Sequence, residues 1–230
     1  MLIGALVAVL ISAAPAPARA AEPYVVYAAN RFVDGAVIVR TDPAAGSLVE
    51  ISRNGPRGRL FQRPYDLAVE ADGDLLVADM GQPNVKDGAL IRVDPTTGRQ
   101  TLLASGGSFF DPVGVAIAAG GTVYVLDTLA GSNNGAVIRV DPATGAQQLL
   151  SSNFNLPRLF DYPFGIAVAS DGSIVVVNRT LAGALPIGCA LGIGRVFRID
   201  PASGLQTLIA GGGSLSYPLG VAVDADGSMV

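Results

Sequence analysis

The chain has 230 residues, half of them apolar and only 15% charged, with 29 glycines, 15 prolines and a formal charge of −4. That mix supports a large core in one domain and excludes disorder, and it lacks the concentrated basic face that nucleic acid requires. Histidine is absent and Cys189 is the only cysteine, which removes Ser-His and Cys-His nucleophiles, the common zinc sites and any internal disulfide.

Residues 2–14 form a short apolar run, and Ala18-Arg19-Ala20 follows a Pro-Ala stretch. This reads as a secretory signal peptide over residues 1–20, cut after Ala20, and places the rest in a secreted or periplasmic setting. The run is short for a bilayer span, so no transmembrane segment is expected after cleavage; an uncleaved anchor is the alternative.

From residue 24 onward a unit of about fifty residues recurs. Its first element is Pro64-Tyr65-Asp66-Leu67-Ala68-Val69, then Pro112-Val113-Gly114-Val115-Ala116-Ile117, Pro163-Phe164-Gly165-Ile166-Ala167-Val168 and Pro218-Leu219-Gly220-Val221-Ala222-Val223. Its last element, G-A-V-I-R-V-D-P-x-x-G with small variations, runs into Pro43, Pro95, Pro142 and Pro201. Within residues 64–111 the pattern predicts strands at 67–70, 75–79, 88–93 and 99–103. A D-G turn joins the first pair, and Asp94-Pro95-Thr96-Thr97-Gly98 joins the last. Residues 24–53 carry the second to fourth strands of an earlier unit, at 25–29, 35–40 and 48–51. Further units cover 112–162 and 163–217, and another begins at 218–230.

The apolar runs are almost continuous, as in Val123-Tyr124-Val125-Leu126 and Ile174-Val175-Val176-Val177, so these strands are expected to be covered on both faces. Four antiparallel strands per unit, radially repeated, predict an all-β fold: a β-propeller of four-stranded antiparallel blades. Coils of a parallel β-helix are shorter and lack D-G hairpins. The small Ala68, Ala116, Ala167 and Ala222 fit crowded innermost strands. Residues 219–223 are placed to supply the first unit's missing strand and close a four-blade ring. Asp226-Gly227 instead begins a further second strand, which points to a ring of five to seven blades.

The phrase P-x-G-V-A-V-D-x-D-G…V-A-D…G-x-I-R-V-D-P-x-T-G resembles the NHL-repeat family and the neighbouring gluconolactonase (regucalcin-like) propellers, over residues 24–230. The resemblance implies a six-bladed propeller. It also implies, for gluconolactonase-like members, a divalent metal in the central channel, held by Asp and Asn at the x of P-x-G with a Glu from the first innermost strand. Here those positions are Tyr65, Val113, Phe164 and Leu219, none a ligand for a hard cation. Glu22 precedes a second strand and does not replace that Glu.

Short D-G and D-P-x-x-G turns share one face. The longer loops 80–87, 128–134 and 179–193, with 54–63, 104–111, 151–162 and 211–217, share the other, where binding residues are expected. Asp79, Asp127 and Asn178 end second strands, with Asn30 in the matching place. They either cap the following loop or form a ring of oxygen ligands for Ca²⁺ or another divalent cation. Arg92, Arg139 and Arg198, with Arg40, recur as interblade ion-pair candidates. Asp66 stands where the other units have Gly114, Gly165 and Gly220. With Asp111 and Asp161, just before Pro112 and Pro163, it makes a weak catalytic set. Arg63, Asp66 and Arg158 are the ligand-binding candidates for a sugar or an acidic group, against the alternative of a solvated loop surface. The segments Arg59-Leu60-Phe61 and Arg158-Leu159-Phe160 echo one another. Asn178-Arg179-Thr180 matches a glycosylation pattern by chance, because Asn178 ends a buried strand. Cys189 reads as a buried small hydrophobe rather than a reactive thiol.

Two functions stay open. One is a scaffold binding a protein, a carbohydrate or another small molecule through the variable-loop face. The other is a metal-dependent hydrolase or lyase acting on a sugar lactone or similar molecule.

Overall fold

Strands built from unbroken apolar runs have no solvent side, and in the structure they are sandwiched. The computed structural model describes residues 26–30, 36–42, 46–82, 85–133, 135–153, 159–179, 194–212 and 215–224. The proposed leader at residues 1–20, Glu22, Arg158 and Cys189 lie outside them. The first sheet contains β1 (Val26–Asn30), β2 (Val37–Asp42) and β3 (Ser47–Arg53). The second contains β4 (Pro64–Val69), β5 (Leu75–Asp79), β6 (Ala89–Val93) and β7 (Gln100–Ser105). The third contains β8 (Pro112–Ile117), β9 (Val123–Asp127), β10 (Ala136–Val140) and β11 (Gln147–Ser152), with a helical turn α1 (Ala130–Asn133) inside the loop after β9. The fourth contains β12 (Pro163–Val168), β13 (Ile174–Arg179), β14 (Gly194–Ile199) and β15 (Gln206–Gly211). Every pairing is antiparallel between sequence neighbours. These are the blades of a β-propeller.

All five residues of β5 and of β9 are buried, because successive side chains serve opposite neighbours. Leu75 and Val77 pack with Ile38 and Ile51 of the first sheet. Leu76 and Ala78 pack with Val115, Val125 and Ile138 of the third. Tyr124 and Leu126 join Ile166, Val176 and Phe197 of the fourth. Each fully buried Leu or Val stabilises by about 1.5–3 kcal/mol, so the interblade layers carry the fold.

The innermost strands β4, β8 and β12 lie side by side. Strand β1 meets β4 as β5 meets β8 and β9 meets β12, which puts β1 in a second-strand position, as the sequence predicts. Among the described residues its sheet has three strands. Gly220 continues the inner series: a Cβ at Gly165 of β12 would lie 2.8 Å from its Cα.

A junction clasp recurs between blades. Gly98, Gly145 and Gly204, each at φ 72°, bring the D-P-x-x-G turn so close to the preceding blade that a Cβ would meet the carbonyl oxygens of Ile51, Leu103 and Leu150 at 2.3, 2.0 and 2.1 Å. Two residues on, Gln100 accepts from the Leu60 N–H at 2.8 Å, Gln147 from Ser108 at 2.7 Å and Gln206 from Leu159 at 2.7 Å. The first unit departs from this. Gly46 has nothing within 4 Å, and Leu48, in the glutamine's place, is 71% exposed.

Two expectations need correction. Residues 128–134 contain α1 rather than plain loop, because Asp127 Oδ1 accepts the N–H groups of Leu129 and Ala130 at 3.0 and 2.8 Å and nucleates a turn. The recurring arginines make their ion pairs within a blade, Arg92 with Glu70 and Arg198 with Asp171. Their reach between blades is to backbone instead: Arg92 to the Pro142 carbonyl at 2.9 Å, and Arg139 to that of Pro201.

Candidate functional site

The ends of the second strands define the loop face. Asp79 is buried, and its carboxylate accepts N–H groups from Gln62 (2.8 Å), Arg63 (2.9 Å) and Gly81 (2.9 Å). Asp127 accepts four, from Phe110 (2.6 Å), Asp111 (2.9 Å), Leu129 and Ala130. Burial pushes both carboxyls up from the ordinary range, and these amide donors oppose it. Each carboxylate ties the loop entering a first strand to the loop leaving the second.

Asn178 is built differently. Its Nδ2 donates to the Leu159 carbonyl, and its buried Oδ1 has no hydrogen-bond partner. Tyr162 in the facing loop stands at φ 50°, so a side-chain donor meets a carbonyl where the other units have amides converging on an acid.

Asp66 is half-buried, with its carboxylate turned onto the backbone. Its Oδ1 accepts the Leu67 N–H at 2.9 Å, and its Oδ2 reaches across to Val115 of the next blade at 3.0 Å. Burial raises its pKa from 3.8 to about 7, against the pull of these two amides. It is an interblade clasp made of a carboxyl reluctant to ionise.

Arg63 and Asp111 do come together, Nη2 to Oδ1 at 3.1 Å, with the arginine also donating to the Gly81 and Met80 carbonyls. Asp161 is half-buried in the loop before Pro163. Among the described residues the acidic side chains close enough to share an ion are Glu70, Asp72 and Asp74, at a D-G turn on the opposite face. There Glu70 is held by Arg92, and Asp72 accepts the Asp74 N–H at 3.1 Å. The catalytic set Asp66, Asp111 and Asp161 is not gathered into such a group. The phenylalanines of the echoed segments are architectural: Asn54 and Asn153 each donate to and accept from the backbone of Phe61 and Phe160, at 2.6–3.1 Å.

At the starts of the first strands Tyr65 and Phe164 are half-buried, while Val113 lies in the core. Each strand has a register shift at its start, spanning Pro64/Asp66, Pro112/Gly114 and Pro163/Gly165, so Tyr65, Val113 and Phe164 are bulge residues whose side chains the ladder does not fix. The Tyr65 and Phe164 rings stand 6.2 Å apart. Beside them lies Arg179, whose guanidinium carbon is 5.0 Å from the Phe164 ring centre and 5.6 Å from that of Tyr217. Its Nε is buried with no hydrogen-bond partner, at a cost of about 1–3 kcal/mol. Tyr217 is held at φ 55° immediately before Pro218, a backbone state costing on the order of 1–3 kcal/mol.

Sequence reasoning missed Arg179, having read residues 178–180 only for the asparagine. A signal was present. The residue after the strand-ending Asp or Asn donates its N–H to the pre-proline carbonyl in each unit, Met80 to Arg63 at 3.1 Å, Thr128 to Asp111 at 3.1 Å and Arg179 to Tyr162 at 3.0 Å. Its side chain therefore always points from the same place, and Arg179 is the cation among these three. The first unit's counterpart, Arg31, lies outside the described residues.

No protein-family model matches the chain, and no curated protein is matched. Among solved structures, a crystal structure of a nidogen/laminin complex is similar, with a TM-score of 0.47 and 12% identity over 82% of this chain and 75% of that one. The sheets and their junctions, rather than this distant likeness, establish the fold. No helix among the described residues is long and apolar enough to cross a membrane.

Proposed function

We propose that this chain is an exported propeller of the NHL and gluconolactonase-like kind that serves as a binding scaffold, engaging a partner through its variable-loop face. The observation that carries the reading is the use of the loop-face carboxylates. Asp79 and Asp127 hold backbone amides, Asp66 bridges two blades and Asp111 pairs with Arg63, while Tyr65, Val113 and Phe164 occupy the bulges where a metal-binding relative would place ligands. Aromatic rings and an arginine on a rigid frame make a recognition surface.

One observation favours the second reading, a metal-dependent lactone hydrolase: a carboxyl with a pKa of about 7, Asp66, is placed to exchange a proton at neutral pH. A lactone-hydrolysis assay with Ca²⁺, Mn²⁺ or Zn²⁺ added separates the two. The scaffold reading expects no metal-dependent turnover and no thermal shift with metal. Turnover that disappears in Asp66→Ala overturns it.

A further inference from the structure

Arg179 shares a buried, unpartnered Nε and a ring contact with Arg139, but Arg139 also donates to the Pro201 carbonyl of the next blade. The Arg179 guanidinium lies within cation–π range of both the Phe164 and Tyr217 rings. An arginine held against rings loses little freedom on forming a paired hydrogen bond. Its Nε–H is closed to solvent and has no acceptor among the described residues, and the ion pairs of the described residues belong to other arginines. An incoming carboxylate would pair with the Nη groups, end-on, in the forked geometry arginine forms with acids.

We propose that Arg179 anchors an Asp or Glu side chain of a partner polypeptide, with Phe164 and Tyr217 as the apolar rim; this rests on the scaffold reading above. The surroundings favour a polypeptide over a small acid. Small-molecule sites enclose most of their ligand. Two half-open grooves, of about 390 and 330 Å³, lie elsewhere, one around Arg139 and Asp141 and the other around Ser108 and Leu129. Among the described residues, Tyr162 and Tyr217 beside Arg179 are 38% and 49% exposed, and Leu219, two positions after Tyr217, is 60% exposed. Tyrosine and arginine in such a setting are the residue types that dominate protein interfaces.

The test is selection of random-sequence peptides on the folded chain. The expected result is a family of binders with an invariant Asp or Glu. Their affinity should fall at least tenfold when that acid becomes its amide, and equally in Arg179→Gln. In Tyr217→Leu, which keeps the arginine and removes only a ring, the fall should be smaller, and thermal melting checks that both variants fold. Peptides that lose binding in Leu219→Asp but lack an essential acid, or that ignore Arg179→Gln, overturn the carboxylate inference and leave the scaffold reading standing. Peptides indifferent to every loop-face substitution overturn both. Competition by millimolar acetate as strong as by the selected peptide overturns the polypeptide assignment.

Discussion

Asp66 gives the sharpest quantitative test of how the blades are joined. Its carboxyl has a folded-state pKa of about 7 against an ordinary 3.8. Below the lower value both folded and unfolded chains carry the proton, and the group costs nothing. Between the two values the unfolded chain has released it while the folded chain still holds it, so stability falls as pH rises, and above about 7 the full cost is present. One pKa unit corresponds to about 1.4 kcal/mol. The interval therefore amounts to on the order of 4 kcal/mol for complete enclosure, and to about 2 kcal/mol once partial solvent access is allowed for. Asp66→Asn cannot titrate. Urea unfolding of both proteins from pH 4 to pH 8 should show the stability difference moving by about 2 kcal/mol in the variant's favour, or roughly 4–8 °C in melting temperature. Asp79 and Asp127 also have raised pKa values, but they are common to both proteins and cancel. Parallel pH profiles would refute the placement of the Asp66 carboxyl between blades.

Two further pairs of substitutions probe the frame. Asp127→Ala orphans four backbone N–H groups and should cost about 3–5 kcal/mol, whereas Asn178→Ala removes one donor together with an unpaired oxygen and should cost about 1 kcal/mol; equal losses in urea unfolding would contradict the distinction. Gly145→Ala combines φ 72° with a Cβ only 2.0 Å from the Leu103 carbonyl oxygen and should cost at least about 3 kcal/mol, while Gly46→Ala, at φ 60° in open space, should cost only the left-handed penalty of about 1–2 kcal/mol. Similar urea midpoints for the two would mean the junction is looser than its geometry indicates.

The fold was readable because its physics is local and repeated. Continuous apolar strands, D-G hairpins and D-P-x-x-G turns each dictate a short piece of backbone; β5 falls at the predicted residues, and the apolar run 123–126 lies within β9. The junctions were less legible. Gln100, Gln147 and Gln206 recur in register after each turn glycine, but a lone polar residue at a strand start carries no sign that it reaches into the neighbouring blade. Asp66 stands out in the sequence because it replaces glycine in an inner strand. Its direction depends on Val115 of the next blade offering an N–H, a relation separated by 49 positions in sequence. Arg179 stayed hidden for the same reason: its rings come from Phe164 and from Tyr217, which meet only after the fourth blade has formed.

The repeat also explains why the exceptional surface lies where it does. In the second and third blades an aspartate gathers the amides of both flanking loops, which fixes the pre-proline residue and leaves little freedom to the position after the strand. In the fourth blade the asparagine offers a donor instead, to the Leu159 carbonyl, and Tyr162 takes up a left-handed backbone while keeping the Arg179 N–H on its carbonyl. Core packing does not notice the exchange, since Ile174, Val175 and Val176 of the same strand remain fully buried. A modular frame can thus change the chemistry of one strand end without loss to its neighbours. Arg179 emerges at that altered end, within cation–π range of two rings and with an unmet N–H.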